Sequence, residues 1–202
     1  IEFRDACAVQ QKCWEEVRSG HRDGLLLCEH PAVLTLGRSA HRENILASGK
    51  ELAVRNIPVV EADRGGDVTL HAPGQLVIYP VLDLRHHGQD IKKYIFKLEE
   101  VAIDFLGRFD IVANRFLGHT GVWKGEKKIV SIGVGVKKWV SYHGLAVNLN
   151  TDLSLFSLIK PCGLDAAMTS VAQLSARLVD VPAAKKLWGE VFCRQLDLVP
   201  LN

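Results

Sequence analysis

One cysteine of this chain is placed where its thiol could do chemistry. Cys162 stands between Pro161 and Gly163, just after an apolar run that ends at Ile159. Proline fixes its own φ and glycine permits a tight backbone, so the tripeptide predicts a turn that holds the thiol out from the chain end of a strand. The alternative is a turn cysteine packed as a small hydrophobic residue.

A lysine is the candidate partner of that thiol. Lys128 begins the segment Lys-Ile-Val-Ser-Ile-Gly, which ends at Gly133, so we expect it at the start of a half-buried strand; the alternative is a surface lysine beside Lys127. A lysine cation near a thiol favours the thiolate, and a desolvated neutral lysine can act as a base. Such a pair suits acyl transfer through a thioester. His71 or His143 could fill the same role, and spacing alone does not choose among them.

A glycine-rich stretch supplies several possible ligand contacts. It places Thr69, His71 and Gln75 within about a dozen residues of Arg64-Gly65-Gly66. Glycine lets the backbone approach a ligand closely, and arginine can grip a carbonyl, phosphate or carboxylate group. The alternative is a hairpin turn with solvated polar side chains.

The helices that must position these residues follow from hydrophobic periodicity. Residues 7–17 predict a helix that covers the sheet, and the apolar spacing from Ile91 to Phe105 predicts an amphipathic helix whose stripe lies on a sheet. Asp180 can cap a last helix with Pro182 inside its first turn.

Strands are predicted from short apolar runs, and the last two of them form a hairpin or meander around Lys137 and Lys138. The runs are 24–30, 32–37, 76–84, 128–133 and 141–149. His143 precedes Gly144 in the last run. The alternative to a catalytic base at this position is a core histidine whose hydrogen bonds are satisfied within the fold. Together these elements predict an α/β (α+β) fold, a mixed β-sheet with helices on at least one face.

Composition limits the class of protein. The chain has 202 residues, of which 48% are hydrophobic and 24% charged, which fits a single domain over residues 1–202. A net charge of +2 does not suggest a nucleic-acid-binding protein. The five cysteines are scattered without a Cys-x-x-Cys pair, so we expect a reducing compartment and no structural metal.

The sequence also lacks several targeting and cofactor signals. It contains no visible signal peptide or membrane span. Ile1 is not an initiator methionine, so the sequence leaves open whether a targeting segment precedes it. A Walker phosphate loop is absent, and the stretch that begins at Gly133 lacks the third glycine of a dinucleotide fingerprint. We therefore expect no cofactor of either class.

Three motifs together resemble one family, the lipoyl(octanoyl) transferases of lipoate assembly. The resemblance covers roughly residues 25 to 175, with Glu29-His-Pro31 and Thr35-Leu-Gly37 at its N-terminal side. Its motifs are Arg64-Gly-Gly-Asp-Val-Thr-Leu-His71 with Pro73-Gly-Gln75 and Tyr79, Lys128-Ile-Val-Ser-Ile-Gly133, and His143-Gly-Leu-Ala-Val-Asn148 with Asp152 and Pro161-Cys-Gly163. One departure is visible, because the family usually has glycine where this chain has Ala72.

The resemblance implies a fold, a reaction and a set of roles. The fold would be that of biotin and lipoate protein ligases, a mixed sheet flanked by helices around a tunnel for an acyl chain. Cys162 would be the nucleophile and Lys128 the general acid and base. The substrate site would comprise Arg64, Gly65, Gly66, Thr69, His71, Ser131, Ile132, Gly133, His143, Gly144 and Leu145.

The resemblance also implies partners. Octanoyl-acyl carrier protein would be the donor, and lipoyl domains of 2-oxoacid dehydrogenase E2 subunits and the glycine cleavage H protein the acceptors, with no nucleic acid, membrane, metal or cofactor involved. The expected location is cytoplasmic, or mitochondrial in a eukaryote, and a monomer is the working expectation. Five lysines, Lys124, Lys127, Lys128, Lys137 and Lys138, are expected to form a basic cluster that steers acidic partners.

Two other functions stay open on the residues alone. An ATP-dependent lipoate or biotin ligase of the same fold would activate a free acid and need no nucleophilic cysteine. A non-catalytic protein that binds acyl groups or lipoyl domains is the second alternative.

Overall fold

Nine strands form two sheets in the computed structural model, which describes residues 1–160 and 167–199. The strands are β1 Gly24–Cys28, β2 Val33–Leu36, β3 Val59–Glu61, β4 Val68–His71, β5 Gln75–Val81, β6 Asn114–Phe116, β7 His119–Lys124, β8 Lys127–Lys137 and β9 Val140–Asn148. The larger sheet has the order β1-β5-β9-β8-β7-β6, and every neighbouring pair in it is antiparallel. The smaller sheet has the order β3-β2-β4, with β2 parallel to β3 and antiparallel to β4.

Helices cover both faces of the larger sheet. The helices are α1 Phe3–Arg18, α2 Gly49–Val54, α3 Ile91–Gly107, α4 Val171–Ser175 and α5 Val181–Gln195. Alternate residues of β5 point to opposite faces, so Ile78 packs in the main core with α3 and α5, while Val77 and Tyr79 pack against Ala6 of α1. The larger sheet is therefore the middle layer of the molecule.

The predicted fold class is confirmed, since sheets flanked by helices make up the chain. Among the named strands of the described residues, however, only β2 and β3 of the smaller sheet pair in parallel, apart from an isolated parallel bridge between Lys128 and Met168. The covering helix, the amphipathic helix and the β8–β9 hairpin all form as predicted, and Asp180 caps α5 by accepting a hydrogen bond from the backbone N–H of Ala183.

One prediction about the segment before Cys162 is wrong. The apolar run there is a 3-10 helix, Leu153–Leu158, and not a strand. Asp152 caps this helix by accepting from the N–H of Ser154, which favours a helical start over an extended one. Cys162 itself lies outside the described residues.

Membrane-spanning helices are absent from the part of the chain that the structure describes: no helix there combines sufficient length with sufficient hydropathy.

Candidate active site

A slot between the two sheets brings most of the predicted site residues together. It has an empty volume of about 490 Å³, part of it open to solvent. We call it the inter-sheet slot. Its lining residues are Phe3, Arg64, Gly66, Asp67, Val68, Thr69, His71, Val77, Tyr79, Ser131, Ile132, Gly133, His143, Gly144, Leu145 and Ala146. Ten of the eleven predicted substrate-binding residues line it, and the remaining one, Gly65, lines the adjoining cavity.

Glycines make the slot possible by removing side chains where backbones meet. Gly133 and Gly144 are register partners on β8 and β9. A Cβ at Gly133 would lie 2.8 Å from the carbonyl oxygen of Gly65, which is closer than real Cβ contacts allow. The N–H of Gly65 in turn donates to the carbonyl of Val134 at 2.8 Å. The loop at Gly65 can therefore lie directly on β8 only because residue 133 has no side chain.

Arg64 ties this glycine loop to the smaller sheet. Its Nη2 donates to the backbone oxygen of Thr35 at 2.7 Å and to Oγ1 of Thr35 at 2.8 Å, and its Nη1 donates to the oxygen of Gly65 at 3.0 Å. Only 7% of the residue is exposed. Arg64 thus positions the loop as well as lining the slot.

His71 presents an acceptor nitrogen, because its other ring nitrogen is used as a donor. Asn148 Nδ2 donates to the carbonyl of Thr169, so its Oδ1 accepts from Gln75 Nε2 at 3.0 Å. Because the Gln75 nitrogen donates in that bond, Gln75 Oε1 is the acceptor of its side chain, and it accepts from His71 Nδ1–H at 2.8 Å. Burial lowers the pKa of His71 to about 3, so the ring is neutral in the working range.

His143 is also neutral and is held in place by a carboxylate. Its Nε2 lies 2.9 Å from Asp63 Oδ1, and its backbone N–H donates to Gln10 Oε1 at 2.7 Å. Burial lowers the pKa of His143 more than its hydrogen bond to the Asp63 carboxylate raises it. Burial raises the pKa of Asp63, but hydrogen bonds with His143 and Tyr142 outweigh that effect and lower it. The neutral ring therefore donates Nε2–H to an ionised carboxylate.

Lys128 is more deeply placed than predicted. The strand was expected to be half-buried, but only 3% of Lys128 is exposed, and its side chain lies against Gly121 and Trp123 of β7. Its Nζ lies 5.3 Å from the centroid of the Trp123 ring. Gly121 leaves room for it, since a Cβ there would come within 2.7 Å of the Lys128 Cε.

The cavity that holds Lys128 adjoins the inter-sheet slot. We call it the Lys128 cavity, and it shares Gly66, Asp67, Ile132 and Gly133 with the slot. The backbone N–H of Lys128 donates to the carbonyl of Ala167 at 2.9 Å, and Lys128 accepts from the N–H of Thr169 at 2.9 Å. The described chain that follows Cys162 therefore runs alongside Lys128.

The four described cysteines are free, and three of them are poor candidates for a nucleophile. Burial raises the pKa of Cys7 and of Cys28 to about 11 and also raises that of Cys13, which disfavours the thiolate. The predicted nucleophile Cys162 lies outside the described residues.

The lysine cluster expected from the sequence is not a cluster. Lys127 and Lys137 are the first and last residues of β8, an 11-residue strand. A strand rises about 3.3 Å per residue, so these two lysines are about 33 Å apart along it. Lys124 and Lys127 lie at the β7–β8 turn beside Lys128, whereas Lys137 and Lys138 lie at the opposite end.

With this geometry in place, comparison with known proteins identifies the family. The family model described as the lipoyl protein ligase A/B catalytic domain matches residues 2–193. The chain belongs to this family. An octanoyltransferase of Solibacter usitatus is 47% identical over 178 residues, an alignment that covers 88% of this chain and 81% of the relative.

Solved structures of the lipoyl protein ligase family and of biotin protein ligases share the fold. A bipartite lipoate protein ligase from Thermoplasma acidophilum aligns with a TM-score of 0.72 at 17% identity, covering 96% of this chain and 80% of that one. The biotin protein ligase of Aquifex aeolicus, solved with biotin and ATP, aligns with a TM-score of 0.55 at 14% identity, covering 82% and 70%. The predicted biotin/lipoate protein ligase-like fold is confirmed.

The one departure from the family pattern is accommodated without strain. Ala72 is not among the residues with positive φ, and it is buried at 1% exposure in the core of the smaller sheet. Alanine therefore occupies a backbone conformation that any residue can adopt.

Several contributors to the slot were not predicted as site residues, and Phe3 and Asp63 stood outside the motifs altogether. Phe3 lines it from α1, and Asp63 orients His143 from the loop before Arg64. Phe3 begins the buried stripe of α1, which periodicity could have shown, but its opposing surface is set by the tertiary fold. Among residues 1–160 and 167–199, no three His, Cys, Asp or Glu side chains are grouped as a metal site would require.

Proposed function

We propose that this chain transfers an octanoyl group from octanoyl-acyl carrier protein to a lysine of lipoyl domains. The observation that carries the proposal is the inter-sheet slot, which shares its rim with the cavity of a buried lysine, Lys128. The names of relatives such as the Solibacter usitatus octanoyltransferase support the same reaction. The proposed acceptors are the lipoyl domains of 2-oxoacid dehydrogenase E2 subunits and the glycine cleavage H protein, in the cytoplasm or the mitochondrion.

The proposed first step transfers the acyl group to Cys162. Its thiolate attacks the thioester carbonyl of the donor, the C–S bond to the carrier breaks, and the departing thiol takes a proton from Lys128. Hydrogen bonds between Lys128 and both Ala167 and Thr169 support this pairing, since Ala167 follows Cys162 by five residues.

In the proposed second step the acceptor amine attacks the Cys162 thioester. Neutral Lys128 removes a proton from the amine, an amide forms, and the Cys162 thiolate leaves. A thioester already carries the activation that an acid would need, so the proposed reaction requires no nucleotide. Backbone N–H groups near the glycine loop are the proposed donors to the oxyanion.

The slot suits the octanoyl tail because much of its lining is apolar or small, as at Val77, Leu145 and Ala146. Burial of six methylenes and a methyl supplies roughly 5 kcal/mol at about 0.8 kcal/mol per methylene. That free energy is enough to favour a medium-length acyl chain over an acetyl group.

The decisive experiment detects the acyl-enzyme. The chain is incubated with octanoyl-acyl carrier protein without acceptor, and peptide mass spectrometry is expected to find an octanoyl increment on Cys162. The increment should be absent from Cys162→Ser and should disappear from the wild type when a lipoyl domain is added. No increment in the wild type, together with full transfer by Cys162→Ser, would refute the mechanism. ATP-dependent transfer from free octanoate would instead favour a ligase.

Charge reversal at the two ends of β8 tests where an acidic donor docks. Lys124 and Lys127 are exposed beside Lys128, so Lys124→Glu with Lys127→Glu is expected to lower kcat/KM at low salt by about tenfold. The matched control is Lys137→Glu with Lys138→Glu at the far end, which we expect to change kcat/KM by less than about twofold. Stopped-flow or steady-state rates against salt concentration measure the effect. Equal losses at both ends, or losses that do not shrink with salt, would contradict this docking site.

A further inference from the structure

Four ring-bearing side chains that contact one another line the inter-sheet slot. The Phe3 ring lies nearly parallel to His71, with centroids 5.9 Å apart and planes at 16°, and to His143, at 6.3 Å and 4°. Tyr79 meets His143 edge-on at 6.1 Å. All four side chains line the slot, and we call them the aromatic wall.

The aromatic wall lies away from Lys128. His143 pairs with Val134, which is six residues along β8 from Lys128, or about 20 Å at 3.3 Å per residue. Between them the slot is lined by small residues such as Gly133, Gly144 and Ala146. The slot meets the Lys128 cavity at Ile132 and Gly133, between Lys128 and the wall, so an acyl chain whose carbonyl lies at that shared rim directs its methyl end toward the wall.

Phe3 differs from the other members of the wall in how it is held. His71 is hydrogen-bonded to Gln75, His143 to Asp63, and Tyr79 to the imidazole of His30 at 2.8 Å. Phe3 is fixed only by packing, at 4% exposure, because a phenyl ring forms no hydrogen bond of this kind. Its size can therefore change without leaving a buried polar group unsatisfied.

Empty space continues behind the wall. A second cavity, with an empty volume of about 650 Å³ that is partly open to solvent, is lined by His143 and by Cys7, Gln10 and Trp14 of α1. Phe3, Cys7 and Gln10 are spaced at i, i+4 and i+7, so they lie on one face of that helix. His143 lines both cavities, whereas Phe3, which stacks on His143, lines only the slot.

We propose that Phe3 sets the longest acyl chain that the slot accepts, by closing its end with a phenyl ring. This inference rests on the proposed octanoyl transfer and adds a specificity-determining residue to it. A smaller side chain at position 3 lengthens the slot toward the second cavity, and a larger one shortens it.

The test is a competition among chain lengths. Hexanoyl-, octanoyl-, decanoyl- and dodecanoyl-acyl carrier protein are mixed in equal amounts, and mass spectrometry of the lipoyl domain gives the product ratios. Phe3→Ala is expected to raise the ratio of decanoyl to octanoyl product about tenfold, and Phe3→Trp to raise the ratio of hexanoyl to octanoyl product by a similar factor. Phe3→Leu is the milder variant if Phe3→Ala folds poorly. Because each ratio is measured within one sample, it does not depend on how much enzyme is folded.

The matched control is Val17→Ala, which removes buried volume from the same helix outside the slot. Unchanged ratios in this variant are expected. The inference would be overturned if the ratio of decanoyl to octanoyl product for Phe3→Ala, or for Phe3→Leu in its place, stayed within twofold of the wild type. It would also be overturned if Val17→Ala shifted that ratio equally. The proposed function fails separately, and the inference with it, if the wild type octanoylates no lipoyl domain.

Discussion

Replacement of Lys128 by methionine is expected to lower the rate of octanoyl transfer by about a thousandfold, because both proposed steps need its amine for proton transfer. General acid–base catalysis contributes about 10²–10⁴-fold in enzymes. Methionine keeps an unbranched side chain against the Trp123 ring and in the space that Gly121 leaves, so packing should change little. The measurement is the single-turnover rate of lipoyl-domain octanoylation, followed by mass spectrometry.

Lys127→Met is the matched control for that loss. Lys127 is the neighbouring residue on β8 but is exposed, so with saturating donor, where docking does not limit the reaction, its replacement should leave the single-turnover rate within about twofold of the wild type. Thermal unfolding of both variants shows whether either fold is perturbed. A Lys128→Met enzyme that transfers octanoyl at a tenth of the wild-type rate or faster would exclude Lys128 as the acid and base.

Regular periodicity made the central hairpin and the long helices predictable. Strands β8 and β9 have 11 and 9 residues and helix α3 has 17, long enough for the apolar pattern of the sequence to agree with the packing. Strands β3 and β6 have only three residues each, too few to show any period. The run before Cys162 was misassigned for a related reason, since a short apolar run fits a buried strand or a helical turn equally well.

The residues of the slot were predictable as a set, but their depth and order in space were not. Family resemblance supplied Arg64, His71 and His143, which the fold gathers from β3–β4, β4 and β9. Burial of Lys128 depends on Gly121 and Trp123 of β7, a strand that the sequence did not reveal. Likewise, an extended strand separates Lys127 from Lys137, so proximity in sequence did not mean proximity in space.

The loop at the rim of the slot is placed by a glycine and held by a buried arginine. Gly133 allows the loop at Gly65 to approach β8, and the buried guanidinium of Arg64 holds that loop by hydrogen bonds to Thr35 and to Gly65 itself. Both the stability of the fold and the shape of the substrate site therefore depend on the Arg64 side chain. Arg64 is the second position at which we expect a substitution to have a large effect.

Replacement of Arg64 by methionine is expected to lower the free energy of unfolding by about 3 kcal/mol and to lower kcat/KM about a hundredfold at temperatures where the variant is folded. The loss of stability follows because the backbone oxygen and Oγ1 of Thr35, a residue with 0% exposure, lose the donors of Arg64. A buried acceptor left without its donor costs about 1–3 kcal/mol. The loss of activity follows because Gly65 and Gly66 line the Lys128 cavity and lose their tether. Denaturant unfolding and octanoyl-transfer kinetics measure the two effects.

Arg64→Lys distinguishes charge from geometry. Lysine keeps the positive charge but lacks the planar fork that reaches both Thr35 and Gly65, so we expect it to recover less than half of the lost stability. Arg42→Met provides the surface control: Arg42 pairs with Glu61 at 3.2 Å with 73% of its side chain exposed, and its loss should change the free energy of unfolding by less than about 0.5 kcal/mol. If Arg64→Met lost stability but kept wild-type kcat/KM per folded molecule, the tether would be structural only, and the glycine loop would hold its place at the Lys128 cavity without it.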